Sequence, residues 1–132
     1  MSTWTTIYDS PVTTDVPLVT TTETVVATVS GVNMPGPGRR INIAGWSQVT
    51  AGTGTTGITI RVRRGTDATG TLIGEGNPVT AGVANTQTSE LDIETTDTPA
   101  GELANQSYVL TVQQVGASAN GTMVQAKLTV TV

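Results

Sequence analysis

Residues 123–132 (MVQAKLTVTV) decide the fold class of the chain, because their side chains alternate between apolar and polar types. Every second residue from Val124 onward is apolar, and the residues between are Gln125, Lys127, Thr129 and Thr131. A repeat of two is typical of a β-strand with one buried and one solvated face. The preceding residues 119–122 (ANGT) contain an Asn-Gly pair, which favours a tight hairpin turn.

Upstream of this strand, the sequence is rich in Thr and Val, which suit a pleated, half-buried surface. It has no cluster of helix formers, and the one Lys of the whole chain is Lys127 in the final strand. Turns rich in Gly, Pro and Asn separate short segments of this kind. We predict strands at residues 23–30, 39–50, 58–64, 71–74, 89–94 and 107–115. Seven or eight short strands predict an all-β fold, a single jelly roll or β-sandwich of about eight antiparallel strands.

Residues 1–20 differ from the rest of the chain, because Pro11 and Pro17 interrupt any regular ladder of hydrogen bonds. This segment also carries Trp4, Ile7 and Tyr8. Two interpretations stay open: an extended N-terminal arm that reaches a neighbouring subunit, or a first edge strand on the protein's own core. We therefore divide the chain into residues 1–20, an arm or edge strand, and residues 21–132, the β-sandwich domain.

The composition excludes several classes of function. A chain of 132 residues fits one domain, and its net charge of −4 argues against binding to a nucleic-acid backbone. No apolar run approaches the roughly 18 residues needed to cross a membrane, and the first residues do not resemble a secretory signal. Only 12% of the residues are charged, so little repulsion keeps molecules apart, and we expect neighbours to cover much of the surface.

The chain offers little for catalysis. It has no His and no Cys, which removes the usual general base, the thiolate nucleophile and most transition-metal ligands. Asp92 and Glu94 lie about 7 Å apart along one strand face, within the range of a glycosidase pair, but four aromatic residues are few to line a sugar cleft. We interpret them as part of a solvated face and predict no enzyme, no cofactor and no metal, since no calcium-loop spacing surrounds Asp67, Asp97 or Glu102.

Five of the six cations are arginines between residues 39 and 64, on two consecutive predicted strands. If those strands form a hairpin, Arg61 lies across from Trp46, where a guanidinium over an indole contributes about 0.5–1 kcal/mol. The cluster is an interface for an acidic protein, a solvated face that balances nearby carboxylates, or a nucleic-acid contact. The candidate partner-binding residues are Trp4, Ile7, Tyr8, Arg39, Arg40, Trp46, Arg61 and Arg63.

Three stretches resemble a known family: residues 39–48 (RRINIAGWSQ), residues 58–74 (ITIRVRRGTDATGTLIG) and residues 107–130 (SYVLTVQQVGASANGTMVQAKLTV). Their order of apolar strand, basic strand, Gly-Thr turn and terminal Tyr-initiated hairpin resembles small jelly-roll proteins of tailed bacteriophages. These proteins have tumour-necrosis-factor-like folds and decorate phage heads as cement proteins, usually as trimers. The resemblance covers residues 23–132 and does not extend to the lambda-type decoration family.

The resemblance implies a function in the virion. It predicts a homotrimer on the capsid exterior, made in the host cytoplasm, that binds the major capsid protein, bridges its subunits and stabilises the shell. The N-terminal arm would contact that shell. The alternative is a receptor- or glycan-binding tip of a phage fibre. A bacterial surface adhesin module is a third interpretation, which the missing signal peptide disfavours.

Overall fold

The protein, seen here in a computed structural model, consists of β-strands joined by turns throughout its described residues, which are 6–34, 40–76 and 88–132. The described part of the chain contains no helix of the length and apolarity that a membrane crossing requires. The strands are β1 (Ile7–Val12), β2 (Val16–Leu18), β3 (Thr24–Met34), β4 (Ile41–Thr50), β5 (Gly57–Arg64), β6 (Thr71–Glu75), β7 (Thr88–Asp97), β8 (Leu103–Val115) and β9 (Gly121–Thr131).

These strands form two antiparallel sheets that pack face to face. Sheet 1 has the order β1-β9-β4-β7, with β2 also paired to β9, and sheet 2 has the order β3-β8-β5-β6. Strands from the first half of the chain pair with strands from the second half in a nested order. The pairs are β1 with β9, β3 with β8, β4 with β7 and, innermost, β5 with β6. This is the pairing of a jelly roll, so the predicted fold class is confirmed.

Both predicted hairpins are wrong. β4 and β5 lie in different sheets, as do β8 and β9, and the connections between them cross from one sheet to the other. The reason is that consecutive strands each carry an apolar face, and these faces meet across the core instead of side by side. Asn120 is used differently: its side-chain oxygen accepts a hydrogen bond from the backbone N–H of Thr20 at 3.0 Å.

The N-terminal residues join sheet 1 as an interrupted edge strand. Ile7–Val12 pairs with residues 126–131 of β9, and Val16–Leu18 pairs with residues 121–123. Leu18 is buried in the core. In the structure, residues 7–18 therefore form an edge strand, which is one of the two interpretations of residues 1–20. Trp4 lies outside the described residues.

Among the described residues, the buried core between the sheets is built from aliphatic and methionine side chains and one aromatic residue, Tyr108. The alternation of β9 places Ala126, Leu128 and Val130 inward, as predicted. Val124 is half-buried instead, and Met123 takes the inward position. A register shift opposite Gln48 and Val49 of β4 causes this change, because one extra residue in a ladder reverses which side chains face the core.

A buried ionic group joins the two sheets at one end of the sandwich. Arg64 of β5 donates two hydrogen bonds to Asp97 of β7, at 2.8 and 2.7 Å, and the hydroxyl of Tyr108 on β8 donates to the same carboxylate at 2.6 Å. Burial raises the pKa of Asp97, but these hydrogen bonds outweigh it and hold that pKa below its usual 3.8. Sequence reasoning considered Asp97 as a calcium ligand, and here it is a structural anion.

Candidate functional site

The outer face of sheet 1 is an ordered grid of polar side chains around one tryptophan. The register places Trp46 of β4 directly between Lys127 of β9 and Asp92 of β7. One step along β4, Ala44 lies between Thr129 and Glu94 in the same way. Four neighbouring strands therefore present an aromatic ring, an ammonium group, hydroxyls and carboxylates on one surface. The grid includes Asn42 and Asp9 in the adjacent positions.

Two neighbouring depressions run along β4 on this face, with volumes of about 370 and 400 Å³. Both are lined by Ala44, Glu94 and Thr129, so they form one open groove, which we call the β4 groove. Its end residues are Asn42 and Trp46. The groove exists because the methyl side chain of Ala44 leaves space between its larger neighbours. Volumes of this size lie in the range of ligand-binding clefts.

The charges of the β4 groove are unevenly paired. Lys127 Nζ lies 3.3 Å from Asp9 Oδ2, and the hydroxyl of Thr129 donates to Asp9 Oδ1 at 2.8 Å. Within the described parts of the chain, neither Asp92 nor Glu94 has an ion pair. Both carboxylates point outward, as the alternation of their strand predicts. The groove thus offers free acceptors and carries a negative charge.

Two members of the predicted arginine cluster, Arg61 and Arg63, belong to an ionic cluster on the outer face of sheet 2. Arg63 donates to Glu23 at 2.6 and 3.0 Å, and Arg61 donates to the same carboxylate at 3.1 Å. Burial raises the pKa of Glu23, but the hydrogen bonds from Arg63 and Thr111 outweigh it and lower the net value. The predicted contact of Arg61 with Trp46 is wrong, because the two residues lie on the outer faces of different sheets.

The described candidate partner-binding residues fall into three groups, of which two adjoin on sheet 1, because Ile7 pairs with Thr131 at the end of the β4 groove. Trp46 is in the β4 groove, and Arg61 and Arg63 belong to the ionic cluster of sheet 2. The remaining described candidates lie near the end of the sandwich where Thr6 and Val132 bond to each other, which we call the terminal end. They are Ile7, which is 64% exposed, Tyr8, which is half-buried, and Arg40, which is exposed. Trp4 and Arg39 lie outside the described residues.

Sequence reasoning missed the β4 groove, although part of its signal was visible. The outward positions of β4 are Asn42, Ala44 and Trp46, an alternation in which a small residue stands between two larger ones. The contributions of Lys127 and Glu94 were invisible, because their strands are far apart along the chain. Within residues 6–34, 40–76 and 88–132, no three carboxylates gather into a metal-binding group.

Comparisons with known proteins support the fold assignment. No protein-family model matches the chain, and a search of the curated proteins gives no match. An infectious bursal disease virus structure (Gt strain) matches with a TM-score of 0.60, 11% identity and 97% of this chain covered. That virus's VP2 subviral particle gives a TM-score of 0.56 at 12% identity over 97% of this chain. The chain spans about a third of the length of these viral chains, 32% and 33%.

A third structural match is a Bacillus endospore appendage protein, which forms disulfide-linked pili. Its TM-score is 0.48 at 20% identity, and 98% of this chain and 89% of that chain are covered. The viral matches have identities far below the level at which function is shared. They show that the chain has a jelly-roll fold, which does not by itself specify a function.

Proposed function

We propose that the chain is a structural protein of a bacteriophage particle, which decorates the outside of the capsid and bridges subunits of the major capsid protein. The observation that carries this proposal is the match of 97% of the chain to about a third of a viral chain, 32% of its length. The resemblance of residues 39–48, 58–74 and 107–130 to phage decoration proteins supports the phage assignment. Such a protein needs no catalytic group, in keeping with a chain that lacks His and Cys.

Attachment through the terminal end follows from its exposed side chains. Ile7 is the most exposed of the large apolar residues among those described, at 64%, and burying such a side chain contributes about 1–2 kcal/mol. Arg40 lies at the same end and, within the described parts of the chain, has no ion pair. Arg61 and Arg63 contribute less, since Glu23 pairs with both of them and Glu75 lies 3.5 Å from Arg61.

A homotrimer strengthens such attachment. Each subunit contributes a small contact, and after the first contact forms, the others become intramolecular and bind at a high effective concentration. The low charged fraction of 12% leaves the surface suited to burial between copies. Light scattering at micromolar concentration is expected to give about three times the chain mass of 13.5 kDa. A mass near that of one chain would contradict the trimer.

Binding to bare expanded capsids of the phage that carries the chain tests the attachment surface. Ile7→Ser is expected to weaken binding, and this loss should hardly depend on salt between about 50 and 500 mM, because it comes from apolar surface. Arg40→Ala is expected to reduce both the affinity and its salt dependence. Leu72→Ser is the matched control, an exposed apolar residue on β6 at the edge of sheet 2. Equal binding by the Ile7 and Leu72 variants would contradict attachment through the terminal end.

The second candidate function is a receptor- or glycan-binding tip of a phage fibre. The observation that favours it is the β4 groove, in which Trp46 stands beside Lys127 and Asp92. The two candidates differ in copy number, because a decoration protein covers the whole capsid whereas a fibre tip is present a few times per particle.

A further inference from the structure

We propose that the β4 groove is a binding site for a neutral glycan chain, which lies along β4 from Asn42 to Trp46. The site does not rest on the proposed attachment to a capsid, because the residues that would bind the glycan are not those assigned to attachment, although Ile7 pairs with Thr131 at one end of the groove. The inference starts from the side chains that the register brings together on this face.

The aromatic ring supplies the stacking surface that a sugar requires. Trp46 is half-buried, so its indole is held in place by the sheet while part of it borders the groove. The C–H face of a pyranose ring packs against such an indole, whose body is apolar and whose edge is polar. Ala44 leaves the neighbouring position open, so a second ring in the same chain meets space instead of a side chain.

The polar groups around the tryptophan match the hydroxyls of a sugar. Asp92 and Glu94 each accept hydrogen bonds with two oxygens, so each can accept from two adjacent hydroxyls. Lys127 donates from the opposite side of the groove, where Asp9 holds its ammonium group at 3.3 Å. Asn42 offers both a donor and an acceptor at the far end. Donors and acceptors thus line both sides of the groove.

The charge and shape of the groove restrict the ligand class. Asp9 offsets Lys127, whereas Asp92 and Glu94 leave a negative charge that repels phosphates and uronic acids. The distance from residue 42 to residue 46 is about 13 Å at the rise of a strand, which accommodates a short run of sugar rings. The groove is open along its length, so a continuous polymer can pass through it. A neutral polysaccharide fits these features.

Electrophoresis in native gels that contain a polysaccharide tests the proposal. The probes are neutral α-glucan, β-glucan, mannan and galactan, with alginate as the anionic counterpart. We expect at least one neutral polymer to retard the unmodified protein and alginate to leave its migration unchanged. Trp46→Ala is expected to lower the affinity for that polymer about tenfold or more, because it removes the stacking surface.

A second variant separates loss of binding from loss of folding. Ala44→Leu adds bulk at an outward position of β4 and fills the groove without entering the core, so its urea unfolding midpoint should match that of the unmodified protein. It should nevertheless migrate freely in the neutral polymer. Gln125→Leu is the matched control, because it adds an apolar side chain to the same face outside the groove lining. The proposal would be overturned if the unmodified protein migrated freely in all four neutral polymers. It would also be overturned if the neutral polymer still retarded Ala44→Leu, or if alginate retarded the unmodified protein.

Discussion

Removing the hydroxyl of Tyr108 tests whether its hydrogen bond to Asp97 stabilises the ionic group that joins the two sheets. In Tyr108→Phe, the carboxylate of Asp97 loses one hydrogen bond of 2.6 Å in a site where that side chain is 5% exposed. A hydrogen bond to a charged group contributes about 1.5–3 kcal/mol. Arg64 still donates to both carboxylate oxygens, so the anion keeps partners and the lower part of this range applies. We expect a loss of about 1.5–2 kcal/mol in the free energy of unfolding.

Urea unfolding measures this loss. With a typical slope of about 2 kcal/mol per molar urea, the midpoint should fall by about 1 M while the slope stays unchanged. Tyr8→Phe is the matched control. Within the described residues, its hydroxyl has one partner, the backbone N–H of Asn33, which donates to it at 3.4 Å on the surface. The variant should change stability by less than about 0.5 kcal/mol. Equal midpoints for the two variants would refute the assigned role of Tyr108.

The difference in stability between the unmodified protein and Tyr108→Phe is expected to depend on pH. The folded pKa of Asp97 lies below 3.8, so its ionised form stabilises the protein above that pH. This contribution is lost as the pH falls below 3.8 and passes through the folded pKa, and the advantage of Tyr108 over Phe should shrink there. A difference that stays constant from neutral pH into this acidic range would mean that Tyr108 does not act through the Asp97 anion.

Three further predictions concern other parts of the structure. Gln114→Leu should cost about 2–4 kcal/mol, because the backbone N–H of Gly52 loses its buried acceptor and the carbonyl of Thr20 loses its donor; urea unfolding measures this. Asp92→Asn combined with Glu94→Gln should shift stability by well under 1 kcal/mol in thermal unfolding, since both residues are exposed. Deleting residues 1–20 should destabilise the domain strongly in circular dichroism melts, because it removes two strands and the buried Leu18; an unchanged melting temperature would instead favour a detached arm.

The fold class was predictable from local patterns, whereas the pairing of strands was not. The alternation of residues 123–132 reports which face of a strand is buried, and this depends only on near neighbours. In a jelly roll, however, β1 pairs with β9, so the partners are at opposite ends of the chain. The Asn-Gly pair before β9 favours a hairpin locally, and the two apolar faces that meet across the core outweigh it. The inward turn of Met123 depends on a bulge that no periodicity reveals.

The candidate sites show the same limit. Arg61 and Arg63 lie on the outer face of sheet 2, but Glu23, which pairs with both, comes from the residue just before β3 and was not connected with them. Trp46 was selected for a contact with Arg61 that does not form, because the two residues lie in different sheets. Its surroundings, Lys127 and Asp92, come from strands that only the three-dimensional register brings together.

The copy number of the chain in purified virions tests the proposed decoration of the capsid most directly. Quantitative mass spectrometry against the major capsid protein gives this number, with a tail protein of known stoichiometry as the internal standard. A protein that bridges capsid subunits over the whole shell should be present in hundreds of copies per particle. A handful of copies per particle would contradict the proposed decoration of the capsid. Absence of the chain from otherwise complete particles would contradict it as well.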